Sequence, residues 1–166
     1  MHTLPQYGMQ HIGVTELVGK DERTDQNELG AEVAVTIEEV TGVPASGELL
    51  AFMFYATEEG SGAVQDSQGE LLIFTSAPGL TAGDDGSGVS AAQWQTCIGR
   101  IKVSASDWTL DANAAGAIAY VCDKPVPFHA VSTLYFVWYH TDATSLNDAA
   151  GDDEVLDMDC WYVRYS

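Results

Sequence analysis

The ten residues Val131–His140 (VSTLYFVWYH) constrain the fold of this chain more than any other stretch. The segment is apolar, aromatic and β-branched, and it contains neither glycine nor proline. A surface loop of this composition would leave large apolar side chains in water, so the segment must be buried. Its residue types favour a pleated strand, with Leu134, Phe136 and Trp138 on one face. The residues between them are also apolar, which predicts a central strand that is covered on both sides.

Seven further segments have the residue types of strands. One of them, Ala31–Val40, alternates apolar and polar residues, as expected of a strand with one solvated face. The others are Ile12–Val18, Leu49–Thr57, Glu70–Ser76, Trp94–Ser104, Ala117–Cys122 and Glu154–Tyr165. The connections are rich in Gly, Ser and Asp, and no segment has the pattern of a helix longer than about two turns.

This pattern predicts an all-β protein, and it fits an eight-stranded jelly-roll-like β-sandwich best. An immunoglobulin-like sandwich is the alternative, although the Cys…Trp…Cys arrangement of antibody domains is not matched. A chain of 166 residues is long enough to bury one core, so we expect a single sandwich domain over residues 12–166. Residues 1–11 lack a strand pattern and are predicted to form an extended N-terminal arm.

The charge balance is strongly acidic, with 25 acidic and 6 basic residues and a net charge of −19. Binding to nucleic-acid phosphates requires clustered Lys and Arg, so the sequence argues against a nucleic-acid partner. It argues equally against docking on anionic lipid. The acidity indicates either solubility in a salty environment or attraction to cations or to a basic partner surface.

No apolar run is long enough to span a bilayer, so no membrane association is expected. Residues 1–6 lack the basic and apolar regions of a secretory signal, which indicates a protein made in the cytoplasm. The cysteines Cys97, Cys122 and Cys160 are widely spaced and form no CxxC pair. We interpret them as small buried thiols in or beside strands, not as disulfides or nucleophiles.

No catalytic motif is present, so we expect no catalytic residues and no enzymatic activity. The sequence has no GxSxG elbow, no P-loop and no Cys/His pair close in sequence. A cupin-like metalloenzyme is a further alternative, but it would need an HxH element that is missing here. The histidines are His2, His11, His129 and His140.

Two acidic loops are candidate calcium sites, because calcium takes about six to eight oxygen ligands from flexible Asp/Gly loops. One loop contains Asp84 and Asp85, and the other contains Asp152 and Asp153. Neither loop has EF-hand spacing, and the alternative is a solvated loop whose Asp and Gly residues serve turn geometry. We therefore expect no cofactor, with calcium as the one candidate ion.

The aromatic residues are candidates for a sugar-stacking platform if several lie on one exposed surface. The alternative is that they anchor the core or a subunit interface. Trp108, beside Asp107, is the aromatic residue that we most expect to be exposed. The predicted interface residues are Tyr7, His11, Trp108, Trp161 and Tyr165.

Three segments, Glu48–Thr57, Ile101–Trp108 and Pro127–His140, resemble small acidic structural proteins from the virion modules of tailed bacteriophages. The stretch from residues 149–154 into Cys160–Arg164 shares this resemblance, which is one of overall style and covers much of the chain. It implies a β-sandwich decoration or cement protein of the capsid, usually assembled as a homotrimer, without catalytic residues. It also implies a virion location after synthesis in the host cytoplasm, with the major capsid protein as partner.

The first functional hypothesis is therefore a non-enzymatic virion protein that binds the exterior of a phage head and stabilises it. Its N-terminal arm would add a strand to a neighbouring subunit. The alternative is a carbohydrate- or receptor-binding β-sandwich module that uses calcium in one of the two acidic loops.

Overall fold

The computed structural model describes residues 8–18, 28–37, 42–58, 68–85, 89–110, 116–141 and 154–165. Most of these residues form strands, joined by a one-turn helix, α1 (Ala91–Trp94), and a 3-10 turn at Ala105–Asp107. The strands are β1 (Gln10–Val18), β2 (Glu28–Leu29), β3 (Val33–Thr36), β4 (Ala45–Glu58), β5 (Gly69–Phe74), β6 (Asp84–Asp85), β7 (Cys97–Val103), β8 (Trp108–Leu110), β9 (Gly116–Val121), β10 (Val126–Val131), β11 (Thr133–His140) and β12 (Glu154–Arg164). None of the helices in these ranges is long and apolar enough to cross a membrane.

The strands form two antiparallel sheets. Sheet I has the order β1-β12-β4-β9-β8, and β10 pairs with the first half of β4. Sheet II has the order β6-β2-β11-β5-β7, and β3 also pairs with β11. Apolar side chains from both sheets meet in one core, which confirms the predicted all-β sandwich. The jelly-roll strand order stays a prediction.

The predicted central strand is confirmed as β11. It lies in the middle of sheet II, with β5 on one side and β2 and β3 on the other. Trp138 is fully buried between the sheets, with its ring centroid 5.7 Å from that of Phe54 in sheet I. On the opposite face Val137 is buried beneath the loop residues Leu80 and Val89. Both faces of the strand are therefore covered, as the sequence predicts.

The described residues form twelve strands, and the four that were not predicted carry weak sequence signals. Strands β2, β6 and β8 have only two or three residues each, too few for an alternating pattern to be recognised. Strand β10 contains Pro127, which indicates a break in a central strand. Among the strands described here β10 pairs with β4 alone, and an edge position of this kind tolerates a proline.

Several strands differ from the predicted boundaries. The described part of the predicted strand 31–40 is β3, only Val33–Thr36; β7 begins at Cys97 instead of Trp94, and β11 begins at Thr133 because Val131 ends β10. β1 begins at Gln10 instead of Ile12, and His11 lies opposite Trp161 of β12. Residues 1–7 lie outside the described residues. Residues 77–90 have the composition of an exposed loop, but this expectation is wrong for Leu80 and Val89, which are each 7% exposed. These two side chains are buried because the outer side of sheet II is itself apolar and needs cover.

Candidate functional site

Side chains that point away from the core of sheet I form an aromatic and acidic surface. Phe54 and Ala119 lie opposite each other on β4 and β9 and are fully buried, so their neighbours along each strand must point outward. This surface is referred to below as the outer face of sheet I. It comprises His11, Met53, Tyr55, Ile118, Tyr120, Asp157, Asp159 and Trp161.

The β9 side of this face is apolar and open to solvent. Ile118 is 47% exposed and Tyr120 is 55% exposed. Met53 and Tyr55 lie directly opposite them on β4 and are half-buried. Contiguous apolar side chains that stay in water are typical of surfaces that bind a partner.

Asp159 organises the β12 side of the same face. One carboxylate oxygen, Oδ1, lies 2.7 Å from Nε2 of His11, and the other accepts a hydrogen bond from the Tyr55 hydroxyl at 2.9 Å. Burial and this hydrogen bond both raise the pKa of Tyr55. The His11 ring also packs against Trp161, with ring centroids 5.4 Å apart. These contacts join β1, β4 and β12 and place His11 between Asp159 and Trp161.

A cleft of about 340 Å³ lies beside this face, where the edge strand β7 of sheet II meets the end of β9 in sheet I. It is referred to below as the lysine cleft, because two of the six basic residues of the chain line it. The lining side chains that matter chemically are Lys102, Ser104, Asp107, Tyr120, Asp123 and Lys124.

Within the cleft, Asp107 is held by the residue at the start of the 3-10 turn. Its Oδ2 accepts hydrogen bonds from the backbone N–H of Ser104 at 2.8 Å and from the Ser104 hydroxyl at 2.6 Å. These two bonds, together with the charges of Lys124 and Lys102, lower the pKa of Asp107. The carboxylate is therefore ionised at neutral pH, and both ammonium groups lie within electrostatic reach of it.

Trp108 corrects the expectation of an exposed aromatic residue. It is 8% exposed and belongs to the main core, because β8 pairs it with Ala119, whose side chain also points inward. Exposure was expected because Trp108 directly follows the acidic residue Asp107 in sequence. The acidic residue stays at the surface while the next side chain turns inward.

The other predicted interface residues lie at different places. His11 is exposed and Trp161 is half-buried, and both belong to the outer face of sheet I. Tyr165 is 52% exposed just after β12, and its hydroxyl donates a hydrogen bond to Glu48 at 3.1 Å. Tyr7 lies outside the described residues.

The structure does not test the two calcium candidates. Asp84 and Asp85 form β6, but their side chains are not among the described groups, and Asp152 and Asp153 fall outside the described ranges altogether. Within those ranges, no three His, Cys, Asp or Glu side chains come together as a metal site. His140, a candidate ligand of the cupin-like alternative, is only 1% exposed.

The three thiols differ in exposure. Cys160 is buried as predicted and Cys97 is partly buried, but Cys122 is exposed, so the expectation of a buried thiol is wrong there. Cys122 follows the last residue of β9, where the chain leaves the sheet toward Lys124. Burial raises the pKa of the Cys160 thiol to about 12 and also raises the pKa of Cys97.

We expect a thiol reagent to modify Cys122 rapidly in the native protein at about pH 8 and to leave Cys160 unmodified. The thiolate is the reactive form, and a pKa of about 12 leaves only about one Cys160 in ten thousand ionised at that pH. Alkylation followed by peptide mass spectrometry measures each site separately. In urea, all three cysteines should react at similar rates. Equal rates for Cys122 and Cys160 in the native protein would contradict the predicted difference.

No family model and no curated protein matches this sequence. Among solved structures, the K3 cleaved adhesin domain of Lys-gingipain from Porphyromonas gingivalis aligns with a TM-score of 0.33 and 11% identity. That alignment covers 81% of this chain and 63% of the gingipain chain, which is less than two thirds of its length. A structure of turnip yellow mosaic virus aligns with a TM-score of 0.31 and 10% identity, over 100% of this chain and 85% of that one. The empty head of the same virus gives a TM-score of 0.27 at 9% identity, over 100% and 86% of the two chains.

These similarities are too low to assign a function. The function of the chain is therefore inferred from its own surfaces.

Proposed function

We propose that this protein is a non-enzymatic structural protein of a virion, a decoration or cement protein that docks on the exterior of a phage head. The observation that supports this proposal best is the outer face of sheet I. There Ile118 and Tyr120 keep about half of their surface in water although they lie on a paired strand. A sheet is stiff, so these side chains present a fixed pattern to a rigid shell at little entropic cost on binding.

The face is built as two neighbouring rows across β9, β4 and β12. The rows consist of Tyr120, Met53 and Asp159, and of Ile118, Tyr55 and Asp157. Adjacent strands lie about 4.8 Å apart, so each row spans about 10 Å. Each row is apolar at β9 and acidic at β12. A complementary partner surface would have an apolar centre with basic residues along one side.

The charge of the chain favours the same kind of partner. At a net charge of −19, free copies repel one another, and a basic patch of the major capsid protein would neutralise part of that charge. The resemblance to decoration proteins implies a homotrimer on the shell. We propose that the N-terminal arm, residues 1–11, whose last two residues begin the edge strand β1, adds a strand to a neighbouring subunit in that assembly.

The proposal is tested first by co-sedimentation. A lysate of the source that encodes this chain is separated on a sucrose gradient, and an antiserum against the purified protein locates it. We expect the protein in the fractions that contain DNA-filled particles, with release as the NaCl concentration is raised. Recovery only at the top of the gradient, even at low salt, would overturn the proposal.

A pair of matched variants tests the docking face. Particles freed of the protein are incubated with purified wild type, Ile118→Glu or Val43→Glu, and the bound copies are counted after sedimentation. Both substitutions place a carboxylate at an apolar residue of similar exposure, 47% and 43%, but only Ile118 lies on the outer face of sheet I. We expect Ile118→Glu to weaken binding at least about tenfold, which is about 1.4 kcal/mol, and Val43→Glu to bind nearly as wild type. Equal binding of the two variants would exclude this face.

A further inference from the structure

We propose that the lysine cleft binds an acidic sugar, that is, a saccharide unit that carries one carboxylate. The proposal goes beyond docking on a particle and rests on different groups, apart from Tyr120, which borders both surfaces. Its basis is the way in which the fold leaves two cations facing one small cleft.

Lys102 faces the cleft because its strand neighbour is already bound. Glu70 lies directly opposite Lys102 in the register of β5 and β7. Its Oε2 accepts a hydrogen bond from Arg100 Nε at 2.8 Å and a second one from Nη2 of the same guanidinium. Arg100 in turn lies over the ring of Trp94, 5.4 Å from its centroid, which fixes the pair away from the cleft. The Lys102 ammonium is thus left to the cleft that it lines.

Lys124 lines the same cleft from the side of the other sheet. It follows β9 of sheet I, whereas Lys102 lies on β7 of sheet II. Both lysines line the same cleft as Asp107, so the two cations come together there from different sheets. Both Ser104 hydrogen bonds go to one oxygen of Asp107, Oδ2, and hold that carboxylate against the 3-10 turn. An incoming carboxylate would find two positively charged N–H donors, Lys102 and Lys124, within one small volume.

The remaining groups favour a hydroxylated ligand with a single charge. The cleft holds two lysines against Asp107 and Asp123, within a chain of net charge −19, so a polyanion would be repelled by the rest of the protein. Asp123 provides an acceptor for sugar hydroxyls. Tyr120, 55% exposed, provides a flat ring on which the C–H face of a pyranose stacks.

The size of the cleft agrees with this ligand class. Its volume of about 340 Å³ is near the lower end of the range of about 300–1,000 Å³ for small-molecule sites. It therefore suits a single sugar residue better than a long chain.

The test is a titration followed by NMR, using the methyl glycosides of N-acetylneuraminic acid and glucuronic acid as probes. Methyl galactoside serves as the neutral probe and sodium acetate as the carboxylate without a sugar. We expect at least one acidic glycoside to shift the amide signals of Lys102, Tyr120 and Lys124, and to bind at least about fivefold more tightly than the neutral glycoside or acetate. Equal binding of methyl galactoside would overturn the role of charge, and equal binding of acetate would overturn the role of the sugar. The absence of shifts with either acidic glycoside would overturn the site.

Variants then locate the site. The double substitution Lys102→Gln and Lys124→Gln is expected to weaken binding of the acidic glycoside at least about tenfold, and Tyr120→Ala several-fold. Val43→Gln is the control, because it places the same new side chain at an exposed residue that does not line the cleft; it should change affinity less than about twofold. Undiminished binding by the lysine double variant would overturn the proposal. That variant should still co-sediment with particles, so failure of the sugar site and failure of the docking proposal are distinguishable.

Discussion

Replacing Gly47 with alanine is expected to destabilise the protein by about 3 kcal/mol or more. Gly47 lies in β4, between Arg164 of β12 on one side and Phe128 of β10 on the other. An added Cβ would overlap the carbonyl oxygen of Val163 and lie 2.8 Å from Cζ of Phe128. Overpacking costs about 1–3 kcal/mol where side chains can move aside, but here a backbone atom blocks the space. The new methyl group can be accommodated only if β4 and β12 separate locally.

Urea unfolding of the purified variant measures this loss, with Gly13→Ala as the matched control. Gly13 also lies in a strand of sheet I, but an added Cβ would lie 3.4 Å from Asp159 Oδ1, an ordinary contact distance. We expect the control to stay within about 0.5 kcal/mol of wild type. If Gly47→Ala is too unstable to be recovered as soluble protein while Gly13→Ala is recovered normally, that outcome also supports the prediction. Similar unfolding free energies for the two variants would show that β4 and β12 are not packed as closely as described.

Trp138→Ala is expected to cost about 3–5 kcal/mol, the range for removing a large buried aromatic side chain. Trp138 is fully buried in the centre of the sandwich, against Phe54 of the opposite sheet. Its ring also lies directly on the backbone of β5, since a Cβ at Gly69 would lie 2.5 Å from Trp138 Cε2. Removal of the indole would leave a cavity that two paired sheets cannot close, so the lost contacts are not regained.

Two further variants separate this cavity effect from a general intolerance of mutation. Ile118→Ala, on the solvent side of sheet I, should change the free energy of unfolding by less than about 0.5 kcal/mol. Trp138→Phe should cost clearly less than Trp138→Ala. It keeps most of the ring and removes an indole N–H that has no hydrogen-bond acceptor among the described residues. A Trp138→Phe variant as unstable as Trp138→Ala would contradict the cavity argument.

The buried strands were predictable from sequence because their apolar content leaves one physical outcome. Residues 131–140 can only be interior, and the alternation of their side chains fixes which of them face the opposite sheet. Strand β10 could not be recognised in the sequence because it contains a proline, and β2, β6 and β8 could not be recognised because they are too short. These strands form because a neighbouring strand is available to pair with them. Trp108 shows the same limit, since its burial follows from pairing with Ala119 and not from the residues around it in sequence.

The candidate sites were harder to predict because each combines residues from different strands. Leu49–Thr57 is a nearly continuous apolar run, so its sequence does not indicate that Met53 and Tyr55 face outward. Only the register with Ile118 and Tyr120 shows that an aromatic face continues across three strands. The lysine cleft joins residues of two sheets, and no spacing along the chain relates Lys102 to Lys124.

The position of β12 between β1 and β4 has a consequence for biosynthesis. On the ribosome β1 emerges well before its partner in sheet I, which becomes available only when residues 154–164 leave the exit tunnel. At about 5–20 residues per second, the delay is on the order of ten seconds. During this interval the pairing edge of β1, and that of one side of β4 once β4 has emerged, are exposed to other nascent chains and to chaperones. Sheet I therefore cannot be completed until β12 has been synthesised, and the yield of native protein depends on how well those edges are shielded in the meantime.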